Sequence, residues 1–293
     1  MAPEDLIEGG LNAPIRVVDQ VSQFTPNSTK GVSRYSCPLG RSSSLEALLV
    51  NKGSDVLVVS FHGALDRQRF TLPRFERLNS LKAHDVSSLY FADPALYLDS
   101  TLELAWFTGW GDLDLYPALA SWTVAAANAA GAHRIILTGS SGGGFAALQV
   151  GSLIPKSLAI PFNPQTAISA YLANGVMRGP QRKYVSVVMP EVAPSGFDRL
   201  APEVDWAKPL GARLSTLERY SRPRSNHVLY ATNVNDFHHR DHFLPFVEAA
   251  ALGGNIRRLE IYEYDGPAGH TPPAPAVFDD ALRHGMERVR ALV

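Results

Sequence analysis

An α/β architecture, a mostly parallel sheet covered on both faces by helices, is the fold class this sequence predicts. Three observations carry that expectation. Short apolar runs alternate with helix-like segments, the pattern left by strands buried on both faces and joined by helical crossovers. One such run, Arg134-Ile135-Ile136-Leu137-Thr138, leads directly into Gly139-Ser140-Ser141-Gly142-Gly143, a glycine-flanked serine between a strand and a helix. The chain has 293 residues, 45% hydrophobic and 9% aromatic, enough for one large α/β domain or two small ones with a sizeable core.

Taken in order, residues 45–50 read as an early strand, 56–61 as a strongly buried one, and 86–91 as the next. Residues 117–130 read as a helix, with Pro117 in its first turn and Gly131 just past its end. The strand around Ile135 and the Ser141 turn follow, then a helix over 145–153. Two further strands are expected at 157–162 and 227–232, and a last one at 258–264. A helix over 275–292 closes the chain, where Phe278, Leu282, Val289 and Leu292 recur near helical spacing on one face.

Two stretches break this rhythm. Residues 93–110 form a polar-aromatic insertion. Residues 165–225 are rich in proline, glycine and arginine, and are too long for a plain connection in a compact domain. They are expected to form a cap or lid inserted between sheet strands. On this reading residues 1–164 make the N-terminal part of the core, with the serine turn at 139–143, and residues 226–293 its C-terminal part.

The serine turn carries the chemistry. A serine hydroxyl becomes a nucleophile only when it is exposed beside a base, with donors ready for the oxyanion. A sharp strand-to-helix turn presents it that way, and glycines two residues to either side permit close backbone approach. Ser141 has both glycines, whereas Ser140 would need one where Thr138 stands. A phosphate-cradling loop would need a following Gly-Lys-Ser/Thr, which is absent, and Ser141 itself fills the second glycine slot of a dinucleotide fingerprint. Partners for Ser141 occur downstream in the order such a site requires. Asp236 follows the strand at 227–232, and His270 follows the strand at 258–264, just before the last helix. Strand C-terminal ends are where open α/β sheets place their sites.

From residue 45 to 293 the chain thus resembles the α/β-hydrolase fold superfamily. The resemblance implies a catalytic triad of Ser141, Asp236 and His270. It also implies an oxyanion hole made by the backbone N–H groups of Ala64, after His62-Gly63 at the end of the 56–61 strand, and of Gly142. His62 has two readings, a structural histidine supporting that loop or a pocket residue. The sequence His62-Gly63-Ala64-Leu65 departs from the His-Gly-Gly-Gly of some esterases, which leaves the acyl-chain preference open. The implied function is a serine hydrolase cleaving a carboxylic ester or thioester through an acyl-enzyme, with no cofactor. Acyl transfer to an alcohol or amine by the same residues is the alternative, and a catalytically dead binding protein is a further one.

A second constellation competes. Phe237-His238-His239-Arg240-Asp241-His242 nearly spells a metallo-hydrolase metal signature, but Phe237 replaces its first histidine, and the motif comes late in the chain. His238 and His242, four residues apart, have two readings, zinc ligands of a metal-dependent hydrolase or a solvated helix start, and the second is preferred, with no metal site and Asp241 as a reserve acid. Trp106, Phe107, Trp110 and Tyr116 could line an acyl pocket or pack in the core. Asn163, where some superfamily members carry an alternative acid, cannot ionise and could reach the pocket.

Composition excludes other classes. A net charge of −1 without a basic run offers nucleic acid no electrostatic footprint. The single cysteine, Cys37, allows no intramolecular disulfide. No apolar stretch approaches the roughly 20 residues that span a bilayer, and the acidic N-terminus lacks a signal-peptide pattern. A small-molecule acyl substrate and a cytoplasmic location are therefore expected, with the oligomeric state left open.

Overall fold

The computed structural model describes residues 13–193 and 205–291. The fold is built on one nine-stranded sheet formed by β1 (Ile15–Val17), β2 (Gly31–Gly40), β3 (Ser43–Asn51), β4 (Val56–Phe61), β5 (Ser87–Ala92), β6 (Arg134–Ser140), β7 (Leu158–Phe162), β10 (His227–Asn233) and β11 (Leu259–Tyr264). The strand order is β1-β2-β3-β5-β4-β6-β7-β10-β11. β3 runs antiparallel to both β2 and β5, and every other neighbouring pair is parallel. β8 (Leu172–Ala173) and β9 (Val176–Met177) form a separate small ribbon.

The helices are α1 (Leu78–Lys82), α2 (Tyr116–Ala130), α3 (Gly142–Gly151), α4 (Gly179–Val187), α5 (Thr216–Tyr220), α6 (Leu244–Leu252) and α7 (Pro275–Ala291). Every residue of β4, β5 and β7 is buried, which is why these central strands read as mostly apolar runs, interrupted only by small serines. Alternate residues serve opposite faces. Leu57, Val59 and Phe61 join the cluster built with α2 and α3, while Val56 and Val58 join the one capped by Leu78 and Leu81 of α1 and by Phe278, Leu282 and Val289 of α7. Gly131 ends α2 in a left-handed conformation (φ 72°), as its position after the helix predicts.

Three features depart from the sequence reading, and some of its residues lie outside the described range. β1 and β2 precede the strand taken as the start of the core. Their pattern is masked by polar residues that the fold buries, among them Arg34, 2% exposed and 3.5 Å from Glu46. The helix after Ser141 begins at Gly142 and opens with three glycines, because tertiary crowding there demands them in spite of their poor helix propensity. The expected solvated start at residues 237–242 is a helical start leading into α6 that is only half solvated: Arg240 faces solvent, while His238 and His242 are each 1% exposed. The last residue assigned to the closing helix, Leu292, lies outside the described residues, as do the N-terminal pentapeptide and part of the 165–225 insertion.

Sheet topology sets the place of the site. From β4 the chain adds β5 on one side, then returns to lay β6 on the other. The C-terminal ends of β4 and β6 therefore flank a crevice at which the connections diverge, the position open α/β sheets use for binding.

Trp122 of α2 ties the start of the described chain to the core. It is fully buried, stacks on Phe24 (centroids 3.9 Å apart, 6° between planes), and its indole N–H donates to the Val21 carbonyl at 2.8 Å. Trp122→Ala should cost about 3–5 kcal/mol. Urea unfolding checks this, and a loss below about 1 kcal/mol would show that the segment docks without it.

Candidate active site

Ser141 sits at the tip of the β6–α3 turn with φ 55° and ψ −119°, a strained conformation for a residue bearing a side chain. Its surroundings hold it there. Its N–H donates to the Phe162 carbonyl at 2.9 Å, and its own carbonyl accepts the Phe145 N–H at 3.0 Å. The two glycines of the motif are sterically required. A methyl group on Gly139 would lie 2.5 Å from the Gly143 carbonyl carbon and 2.6 Å from the Phe61 oxygen, and one on Gly143 would overlap that same oxygen. The turn is thus wedged against the end of β4.

His270 and Asp236 meet as their order in the chain implies. His270 Nδ1–H donates to Asp236 Oδ2 at 2.7 Å, which leaves Nε2 as the ring's acceptor. Asp236 is shut away from solvent, and its other oxygen accepts the His238 N–H at 3.0 Å. Asp241 instead pairs with Arg240 at 2.7 Å, away from His270. Ser141 and His270 border one cavity of about 230 Å³, together with Gly63, Ala64, Glu76, Tyr171, Thr271 and Pro272.

Gly63 brings the β4 loop against the serine turn, since a methyl group added to it would lie 3.0 Å from the Ser140 oxygen. The Gly63 N–H donates to Glu76 Oε2 at 3.1 Å, which pins the loop and places Ala64 at the cavity wall. Gly142 is the first residue of α3, where N–H groups have no acceptor within the helix.

The other residues singled out from sequence lie around this cavity rather than in its wall. His62 is 2% exposed, with Nδ1–H donating to the Gly63 oxygen at 2.8 Å and Nε2 accepting the Asp93 N–H at 3.0 Å. Phe107 packs on Phe61 and His62, and Trp106, Trp110 and Tyr116 belong to the core cluster. Asn163 is buried and ties strand ends together. Its Oδ1 accepts the Asn233 N–H at 2.7 Å, and its amide donates to the Tyr264 hydroxyl at 2.8 Å.

Of the three histidines of the Phe237–His242 motif, His238 and His242 pack edge to face (centroids 4.6 Å apart) and His239 points elsewhere. His239 turns to Thr232 and His242 to Thr166, while His238 packs against His270 with centroids 3.9 Å apart. Asp236, His238 and His270 do offer three possible ligand atoms within 4.8 Å of one another, a set the Phe237–His242 motif did not suggest. Sequence reasoning also missed Glu76 and Tyr171, and from the 162–166 segment, expected near the site for following a strand end, it singled out Asn163 and not Gln165, whose amide donates to Ser141 Oγ at 2.9 Å. Gln165 follows the β7 strand end, and that proximity was its only signal.

Burial has a measurable consequence. It pushes His62 down to about 4, His238 to about 2 and His242 to about 3. Unfolded histidine titrates near ~6.5, so below that pH the unfolded chain binds protons that the folded one refuses, and stability falls as pH drops toward 4. Asp93 opposes this. Burial raises it to about 7, so folding takes up a proton in the same window and its contribution weakens as pH rises. Three histidines outweigh one aspartate, and the unfolding free energy should fall by roughly 2.5 kcal/mol per pH unit near pH 5. Urea titrations at pH 7, 6 and 5 check this; a flat profile would show that these histidines protonate in place.

No protein-family model matches this sequence, and no curated protein matches it. Solved structures do. The capsule O-acetyltransferase of Neisseria meningitidis serogroup A superposes with a TM-score of 0.58 at 13% identity, over 88% of this chain and 93% of its own. An esterase of Pyrococcus furiosus gives 0.54 at 15% identity, over 95% and 99%. A hormone-sensitive lipase from a metagenome library gives 0.50 at 11%, over 92% and 84%. At such identities the likeness is one of architecture, and these neighbours are all α/β-hydrolases. The chain has the α/β-hydrolase fold.

Proposed function

We propose that the protein is a serine hydrolase that cleaves a carboxylic ester or thioester through an acyl-enzyme on Ser141. The observation that carries this reading is the 2.7 Å bond between Asp236 and His270, with His270 bordering the same cavity as Ser141 on its strained turn. In the reaction Ser141 Oγ attacks the substrate carbonyl while His270 Nε2 takes the hydroxyl proton and then passes it to the leaving group. Asp236 holds the ring in the tautomer that exposes Nε2, and stabilises the imidazolium that forms. The N–H groups of Ala64 and Gly142 receive the oxyanion, each worth roughly 3–4 kcal/mol of barrier. The described residues of the 165–225 insertion, from which Tyr171 borders the cavity, serve as a cap over this site.

The same acyl-enzyme would serve transfer to an alcohol acceptor, a second reading favoured by the likeness to an O-acetyltransferase across 88% of the chain. Product analysis with alcohols present separates the two. New ester formation identifies transfer, and free acid alone identifies hydrolysis.

Ser141→Ala should abolish turnover of p-nitrophenyl acetate and labelling by a fluorophosphonate without unfolding the protein. Full activity in that variant would end the proposal. Asp236→Asn should keep the fold and lower kcat by roughly a thousandfold or more, whereas Asp241→Asn should stay near wild type. The cavity is smaller than the roughly 300 Å³ and upward of pockets for drug-sized ligands. Along a series of p-nitrophenyl esters kcat/KM should therefore be highest for acetate and fall beyond butyrate. A maximum at long chains would mean that the acyl group lies elsewhere.

A further inference from the structure

The hydroxyl of Ser141 does not stand alone with its histidine. Three fully or almost fully buried side chains, Trp106, Gln165 and His238, form a polar chain that ends on its oxygen. Trp106 Nε1–H lies 3.0 Å from Gln165 Oε1, and Gln165 Nε2 lies 2.9 Å from Ser141 Oγ and 3.5 Å from His238 Nε2.

The polarity of this chain is determined from both ends. An indole nitrogen can only donate, so the atom facing Trp106 must be the amide oxygen, and the NH₂ group must face Ser141 and His238. His238 gives the same answer independently. Its Nδ1 lies 2.8 Å from the Asn163 carbonyl, which can only accept, so Nδ1 carries the proton and Nε2 a lone pair suited to the amide N–H. Flipping the amide would set oxygen against that lone pair and NH₂ against the indole N–H. Burial keeps His238 neutral, so this orientation does not change with its titration.

We infer that Gln165 is a fixed hydrogen-bond donor to the nucleophilic oxygen, oriented by Trp106 and His238, and that it stabilises charge on Oγ in both halves of the reaction. The inference rests on the serine-hydrolase reading above. Because Oγ accepts from the amide, its own hydrogen is free to point at a base. In acylation the Oγ–C bond forms, the hydroxyl proton passes to His270 Nε2, and the leaving group departs with that proton. In deacylation water adds to the acyl carbon and gives a proton to Nε2. The C–Oγ bond then breaks, its electron pair settles on Oγ beside the amide N–H, and the proton returns from Nε2. Negative charge builds on Oγ in each half, and a donor already in place needs no reorganisation to meet it.

Two variants isolate the donor. Gln165→Glu keeps shape and an acceptor for Trp106 but sets an oxygen against Oγ, and Gln165→Met keeps bulk without polarity. Steady-state kinetics on p-nitrophenyl acetate, the rate of fluorophosphonate labelling and the thermal midpoint are measured for each. Both should lose tenfold or more in kcat and in labelling rate, with KM within threefold of wild type. Trp106→Phe, which releases the amide, should lose severalfold, and it decides the matter if neither Gln165 variant folds. Wild-type kcat and labelling with a lowered thermal midpoint would make Gln165 a packing residue. A raised KM at unchanged kcat would make it a substrate contact. Either result overturns the inference, while Ser141→Ala tests the hydrolase reading separately.

Discussion

The close approach of the Gly139–Gly143 turn to the carbonyl groups at the end of β4 is the constraint on which the rest of the site depends. Gly143 leaves room for both the Phe61 and His62 oxygens, and Gly139 for Gly143 itself. With no side chains between them, the strand-to-helix turn and the β4 loop lie in direct backbone contact, and Gly63 closes on Ser140 from the other side. Two backbones packed this tightly leave few conformations for either. The positive φ of Ser141 is therefore held by its neighbours rather than chosen by the residue. Three glycines at the start of α3 lower helix propensity by about 1 kcal/mol each relative to alanine, a cost that the burial of the whole helix outweighs.

A second layer of order comes from buried polar groups at the strand ends. Asn163 joins β7 to its neighbours through four bonds. It donates its N–H to the Ala231 oxygen and its side-chain amide to Tyr264, and it accepts from the Asn233 N–H and from His238 Nδ1. An unmade bond at any of these buried groups would cost roughly 1–3 kcal/mol, so the set specifies one arrangement of the loops that carry Gln165, Asp236 and His238. On the opposite flank His62 does the same for the β4 loop by accepting from Asp93, whose carboxylate in turn receives the N–H groups of Ala95 and Phe107. Asn163, which stands where some superfamily members carry an alternative acid, and His62 are both braces, the structural one of the two readings that the sequence left for that histidine.

How much of this was legible depends on what each feature requires. The sequence by itself determined the central strands, because burial on both faces leaves largely apolar runs such as Val56–Phe61. It also determined the serine turn, because only glycine tolerates that crowding, and the chain order of Asp236 and His270 behind their strands. The polar-masked strand Gly31–Gly40, the burial of His238 and His242, and the reach of Gln165 to Ser141 were decided by tertiary structure. Each depends on a partner distant in the chain: Glu46 for Arg34, Asn163 for His238, Trp106 for Gln165. A polar side chain shows its chemistry in the sequence, but whether it is solvated or satisfied inside the protein depends on the groups that folding brings to it.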